Sequence, residues 1–245
     1  MNIDRFLIYT LATNSFRLKF LYVFLMTFLV SVPSIGQEKC APIRNHSSSQ
    51  EKFEGWMKQE LQRKALLRNA NNRAFSETVY NVPVVVHVIH QGESLGTRSN
   101  ILDAQILSQI ETLNEDFRRL NEDRSHTPTV FESVAADVKI NFSLAKRDPE
   151  GLPTNGIIRT KGSLSQYGEE TVLALSRASY WPAEEYFNIW VTTIASPYIG
   201  FAFFPFTNID GILDQDKNIN RLIDGAVIDY AYFGTGHNAR DFSRG

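Results

Sequence analysis

The sequence predicts an α+β domain: a mixed β-sheet with one long helix laid against it. Three stretches carry that prediction. Val82-Pro-Val-Val-Val-His-Val-Ile-His90 is a continuous apolar, β-branched run, the pattern of a strand buried on both faces. Ile106, Ile110, Leu113, Phe117 and Leu120 then step by four, three, four and three, which is the stripe of a helix with one buried face. Asp137 to Arg147 alternates, with Val138, Ile140, Phe142 and Leu144 on one side and Lys139, Asn141 and Ser143 on the other, as in a half-buried strand. A strand, a long helix and then several strands make an α+β architecture. A crossover helix lets the first two strands run parallel.

Taken in chain order, the first element belongs to export rather than to the fold. Arg17 and Lys19 precede the uncharged run Phe20 to Val32, and small residues follow at Ser34 and Gly36. This is a signal-peptide pattern, with cleavage expected after Gly36 and localisation in the periplasm or outside the cell. The alternative is a membrane anchor, but the run is thirteen residues long and a spanning helix needs about 20. No stable anchor is therefore expected. Export implies an oxidising compartment, yet Cys40 is the only cysteine, so no disulfide can form within the chain.

Residues 37–80 are polar, and Phe53, Trp56, Met57, Leu61 and Ala65 recur within them at helical spacing, predicting one amphipathic helix. Arg68 to Ala74 reads as an exposed linker. A removable pro-segment and an ordinary N-terminal arm both fit this layout. The domain proper then spans 81–245. Its long helix is expected to start with a capping box, Asn100 with Asp103. Asn155-Gly156 signals a turn before Ile157. Further strands are expected over Tyr186–Ile194, Gly200–Phe206 and Ala226–Tyr232, after which Phe233-Gly-Thr-Gly-His-Asn-Ala-Arg240 heads away from the sheet.

Several classes of chemistry are excluded or weakened by the residues themselves. Formal net charge is −2 and there is no basic stripe, so a nucleic-acid partner is not expected. GxxxxGK[ST], GxGxxG after a strand, and GxSxG are all absent. His87 and His90 lie three apart in a strand and so point to opposite faces, which excludes a shared metal. His46, His126 and His237 fall in separate loops. Asp214, Asp216, Asn218 and Asn220 resemble a calcium loop, but Ile219 stands where glycine is needed and Gly225 where a bidentate glutamate belongs. Calcium is thus a weak expectation. Pro205 after Gly200-Phe-Ala-Phe-Phe204 marks an edge strand, because proline cannot donate to a ladder. Such an edge either takes up an extended peptide or lies under a loop.

Read together, VPVVVHVIH (82–90), DAQILSQIETLNEDFRRLN (103–121), VAADVKINFSLAKRDPEGLPTNGIIRT (134–160), YFNIWV (186–191), GFAFFP (200–205) and DGAVIDYAYFGT (224–235) resemble the pappalysin family of zinc metallopeptidases. NEDFRRLN and DPxGxPTNGIxRT are its most specific matches. The resemblance implies a metzincin (zincin-like) upper subdomain, a twisted mixed sheet with a backing helix, incomplete at its C-terminal side. It implies a secreted zinc metalloendopeptidase whose substrate lies extended along Gly200, Phe201, Ala202, Phe203, Phe204 and Pro205. In the family, the segment matching Phe233 to Gly245 leads into a helix carrying HExxHxxGxxH, which supplies the zinc ligands and the general-base glutamate. That motif is not among these 245 residues. The resemblance therefore puts the zinc ligands and the general base beyond Gly245. No catalytic or metal-ligating residue is assigned here, and the 245 residues alone are expected to be inactive. The resemblance further implies that Cys40 is a latency residue whose thiolate occupies the open zinc position, although Ala41 stands where the family has glycine. A truncated domain of this kind is expected to expose one sheet face. The alternative to the peptidase reading is a non-catalytic secreted module that keeps the edge strand for peptide binding or adhesion.

Overall fold

The structure is a computed structural model that describes residues 47–71, 78–203 and 221–240. The first of these stretches is helix α1, Ser47–Asn71. Phe53, Trp56 and Met57 are half-buried in it, the Phe53 and Trp56 rings lie 5.9 Å apart, and Leu61 is exposed. The stripe is therefore shorter than the spacing predicts. The helix also runs through 68–71, where a linker was expected. Arg68 and Ala70 are strong helix formers, and no Gly or Pro lies between Trp56 and Asn71 to stop it. Residues 72–74 of that linker lie outside the described residues, as do the signal-peptide segment and Cys40.

The sheet is built around β1 (Tyr80–His90). Helix α2 (Asp103–Phe117) and a short turn of helix, α3 (Thr129–Glu132), carry the chain to β2 (Ile140–Leu144). Next come β3 (Ile157–Lys161), α4 (Val172–Ala178), β4 (Phe187–Thr192), β5 (Gly200–Ala202) and β6 (Gly225–Asp229). β1 pairs in parallel with β2 along its first half and with β3 along its second, while β4 lies parallel on its other side. β6 follows parallel to β4, and β5 closes the order antiparallel to β6. A mixed α/β fold with the first strands parallel across a helix matches the sequence reading.

Two cores sandwich the sheet, and β1 alternates between them. Val84, Val86 and Val88 point to the α2 side, where they meet Ile106, Ile110, Phe142, Ile189, Val191 and Phe233. Val85, His87 and Ile89 point the other way, under Tyr167, Val172, Leu175, Trp181 and Trp190. One sheet face was expected to lie open; both are instead covered, the second by residues 167–181. Those residues contain α4, a seven-residue helix too short to announce itself by period.

Two local expectations are also corrected. Helix α2 has no capping box: its N-cap is Leu102, without a side-chain cap bond. Asn100 donates its Nδ2 to the Glu93 carbonyl, and Asp103 accepts from Arg159 Nη2 at 2.7 Å. The alternating stretch becomes strand only from Ile140. Lys139 sits at φ 62°, and Asp137 accepts from Arg118 Nε and from the Lys139 amide, so the chain bends there. Those contacts, Arg118 foremost, hold the Asp137 pKa down at about 2.

Candidate functional site

The two sides of the sheet are finished differently. On the β2 side, Asn114 of α2 acts as a substitute strand. Its Nδ2 donates to the Phe142 carbonyl at 2.9 Å and its Oδ1 accepts the Phe142 amide at 2.6 Å. The outward backbone groups of Phe142 are thus satisfied, and that edge accepts no further strand there.

On the β5 side the ladder leaves backbone groups pointing outward. Asp229 N donates to Ile199 O at 2.9 Å, and Phe203 N donates to Gly225 O at 3.3 Å. Phe201 lies opposite Val227 between them. Residues 199, 201 and 203 therefore face β6, so Gly200 and Ala202 present their N–H and C=O away from the sheet. Among the described residues no strand pairs this outer edge. Phe201 anchors the strand by burial in the second core, while Ala202 is exposed. Of the six edge residues singled out by sequence, Gly200, Phe201, Ala202 and Phe203 are thus placed. Phe204 and Pro205 lie outside the described residues, together with Asp214, Asp216, Asn218 and Asn220 of the calcium-like loop.

β6 is held close to β4 by Gly225. Its φ is 149°, and a Cβ there would run into the Asn188 carbonyl and the Trp190 ring. At the far end of β6, Asp229 fixes two neighbouring chain segments. Its Oδ2 accepts from Ile194 N at 2.9 Å and its Oδ1 from Ala231 N at 3.0 Å. Burial raises its pKa, opposed by those two hydrogen bonds.

The chain beyond β6 does not trail away. It makes a 3₁₀ turn at Tyr230–Tyr232 and buries Phe233 in the α2-side core. Buried Gln105 on α2 donates Nε2 to Tyr230 O at 3.0 Å and Phe233 O at 2.8 Å. Its Oε1 accepts from Asn238 N at 3.3 Å. Gln109, one helical turn on, accepts from Gly234 N at 2.6 Å, and Ser108 Oγ accepts from Thr235 N at 2.9 Å. Sequence reasoning missed these residues because it followed the apolar stripe. The signal available was two glutamines four apart, directly beside Ile106 and Ile110. Of the segment expected to lead towards a metal-bearing helix, residues 233–240 are placed. The last five residues, Asp241 to Gly245, lie outside the described residues, so the expectation that zinc ligands and a general base follow Gly245 is one this structure does not reach.

Among the described residues the histidines do not come together as a metal centre. His87 is fully buried, stacked on Trp190 at 5.6 Å. Its Nε2 meets Asn188 Oδ1 at 2.9 Å and its Nδ1 meets Ser179 Oγ at 2.7 Å. The tautomer follows from the amide. Asn188 Nδ2 donates to Trp181 O and its Oδ1 accepts from Trp181 N, so His87 must carry its proton on Nε2 and accept at Nδ1 from the Ser179 hydroxyl. Burial pushes the His87 pKa down to about 4. His90, on the opposite face, accepts at Nδ1 from Gly92 N. Among the described residues no group of three or more His, Cys, Asp or Glu could hold a metal ion. These residues do not fit a zinc centre.

No protein-family model matches the chain, and no curated protein does. Solved structures do match. Mature mirolysin of Tannerella forsythia in complex with a cleaved peptide is 38% identical, with a TM-score of 0.57, over 67% of this chain and 57% of that one. Promirolysin of the same organism, with a glutamate replaced by alanine, is 33% identical with a TM-score of 0.59, over 82% of this chain and 62% of that one. The chain is a structural relative of mirolysin. A further mirolysin structure, in complex with compound 9, agrees at 39% identity and a TM-score of 0.57. The mirolysin likeness supports a metallopeptidase family and a metzincin-like mixed α/β fold. The present chain spans 57–62% of the mirolysin and promirolysin chains. Among its described residues no helix is long and apolar enough to cross a membrane.

Proposed function

We propose that this chain is the scaffold and substrate-docking portion of a secreted zinc metalloendopeptidase of the pappalysin group. The observation that carries the reading is the outer edge of β5, which no strand pairs among the described residues. Gly200 and Ala202 offer backbone donors and acceptors to an extended peptide, which joins the sheet as an added strand. Main-chain pairing holds the substrate straight, with its side chains alternating towards and away from the protein surface. Mirolysin's complex with a cleaved peptide supports the same class of partner. Zinc, on this reading, is held by residues beyond Gly245, and Cys40 of the pro-segment is the latency thiolate. The residues present here bind and orient the peptide; by themselves they neither hold zinc tightly nor cleave.

The direct test is a labelled pool of unfolded casein peptides titrated onto residues 37–245. Binding should slow amide exchange at Gly200 and Ala202. Ala202→Pro removes one outward donor without touching the β6 ladder, a position an edge strand tolerates. It should weaken peptide binding about tenfold while leaving stability within about 1 kcal/mol. Unchanged affinity in that variant would sink the docking role. Chelator-sensitive hydrolysis by residues 37–245 would instead overturn their proposed inactivity.

A further inference from the structure

We propose that Gln105 and Gln109 are positioning residues that fix the path by which the chain leaves β6. For what that path serves, namely delivery of the chain from the sheet to the metal-bearing part of a peptidase, the inference rests on the proposed function. Its geometry stands on its own. Glutamine side chains are seldom buried, because an amide removed from water must find partners for its oxygen and its nitrogen. Here Gln105 is 0% and Gln109 is 3% exposed. Every bond described for their side chains goes to the backbone of one segment, Tyr230–Asn238.

That segment has no regular structure after its 3₁₀ turn, and its backbone is an uncommon one. Gly234, Gly236 and His237 all lie at positive φ, at 72°, 70° and 49°. A Cβ on Gly234 would collide with the Gln105 carbonyl, so the chain passes directly against α2. Conformations of this kind persist where the surroundings over-determine them. The surroundings comprise the two glutamines, the Ser108 hydroxyl, and Asn238, whose Nδ2 donates to Gly96 O at 2.8 Å and Arg98 O at 3.3 Å. Phe233 pins the start of the segment in the core, and Asn238 ties its end to the loop before α2. A hydrophobic side chain at 105 or 109 would serve the core. An amide there serves the course of the neighbouring chain.

The experiment uses the full-length peptidase that the proposed function implies. Gln109→Met keeps the side-chain volume but removes the acceptor for the Gly234 amide, whereas Gln109→Glu keeps an oxygen in place. In the Met variant, amide exchange over Gly234–Asn238 should rise at least tenfold while β1 and β4 amides are unchanged. Zinc affinity, read by chelator competition, should weaken, and kcat should fall at least tenfold with KM within twofold. The Glu variant should recover most of each effect. Unchanged exchange over Gly234–Asn238, or an equal rise in β1 and β4, overturns the clamp. Loosened exchange with unchanged kcat and zinc affinity overturns its positioning role. A wild-type protein that binds no zinc and cleaves nothing refutes the proposed function, and the exchange comparison still decides the clamp.

Discussion

Acidification should loosen this fold through one imidazole. His87 is buried in the sheet's second face, neutral, with its Nε2 proton donated to Asn188 and its Nδ1 accepting from Ser179. Protonating Nδ1 would put a charge between Trp190 and Trp181, out of reach of water, a cost that the hydrogen bond to Asn188 only partly offsets. The folded pKa is therefore about 4 against an ordinary 6.5. Between those values the unfolded chain binds the proton and the folded chain does not, so stability rises with pH in this window. The contribution is full above pH 6.5 and is lost as pH falls towards 4, about 3 kcal/mol in all. Roughly 2 kcal/mol of it should be gone by pH 4.5. Asp137, held at about 2, titrates below this window and does not mask it. Urea unfolding at pH 7 and pH 4.5 measures the loss, and His87→Phe supplies the control. The variant should be less stable at pH 7, because the Ser179 hydroxyl loses its acceptor, but should lack the steep decline between pH 6.5 and 4.5. An equal decline in both proteins would refute the argument, as would a His87 titration midpoint near 6.5.

Other positions give sharper local tests. Gly225→Ala places a methyl against the Asn188 carbonyl and the Trp190 ring at a φ of 149°, and should cost at least about 2 kcal/mol by denaturant unfolding. Asp229→Asn keeps one acceptor oxygen but turns an NH2 towards Ile194 N or Ala231 N. A loss of about 1–3 kcal/mol is expected, read as a lower melting temperature. Phe233→Ala empties a fully buried site between α2 and the sheet, and should cost about 3–5 kcal/mol. A Phe233→Ala protein with unaltered stability would show that the exit segment is not part of the core.

How much was legible in the residues varied with the range of the interaction. β1 was readable because a run of valines ending in Ile89 is apolar whichever face it shows. α2 was readable because Ile106, Ile110 and Leu113 keep a 3.6-residue beat, but the helix ends at Phe117, and Leu120, the last of the predicted stripe, lies beyond it and is exposed. The capping box failed at the same helix, since Asn100 and Asp103 found partners in Glu93 and in Arg159. Arg159 lies in a strand more than fifty residues later, and no local rule could weigh it. The half-buried strand was readable in kind but not in extent, because Arg118 draws Asp137 off the ladder. On the candidate site, Pro205 pointed to an edge strand, whereas its outward-facing groups, Gly200 and Ala202, are set by register with β6.

The residues alone determined the alternation of β1, the parallel crossover through α2, the separation of His87 from His90, and the edge character of β5. Each of these follows from periods of two or 3.6, or from what proline and histidine can do within a few residues. Only the tertiary structure decided that residues 167–181 cover the second face, that Asn114 closes the β2 edge, and that Gln105 and Gln109 hold the segment after β6. The first depends on apolar packing between distant segments, and the other two on hydrogen bonds between groups as many as 133 residues apart. An amide has no sequence period to betray its partner; it is committed only when the folded chain withdraws water and leaves one oxygen or one N–H within reach.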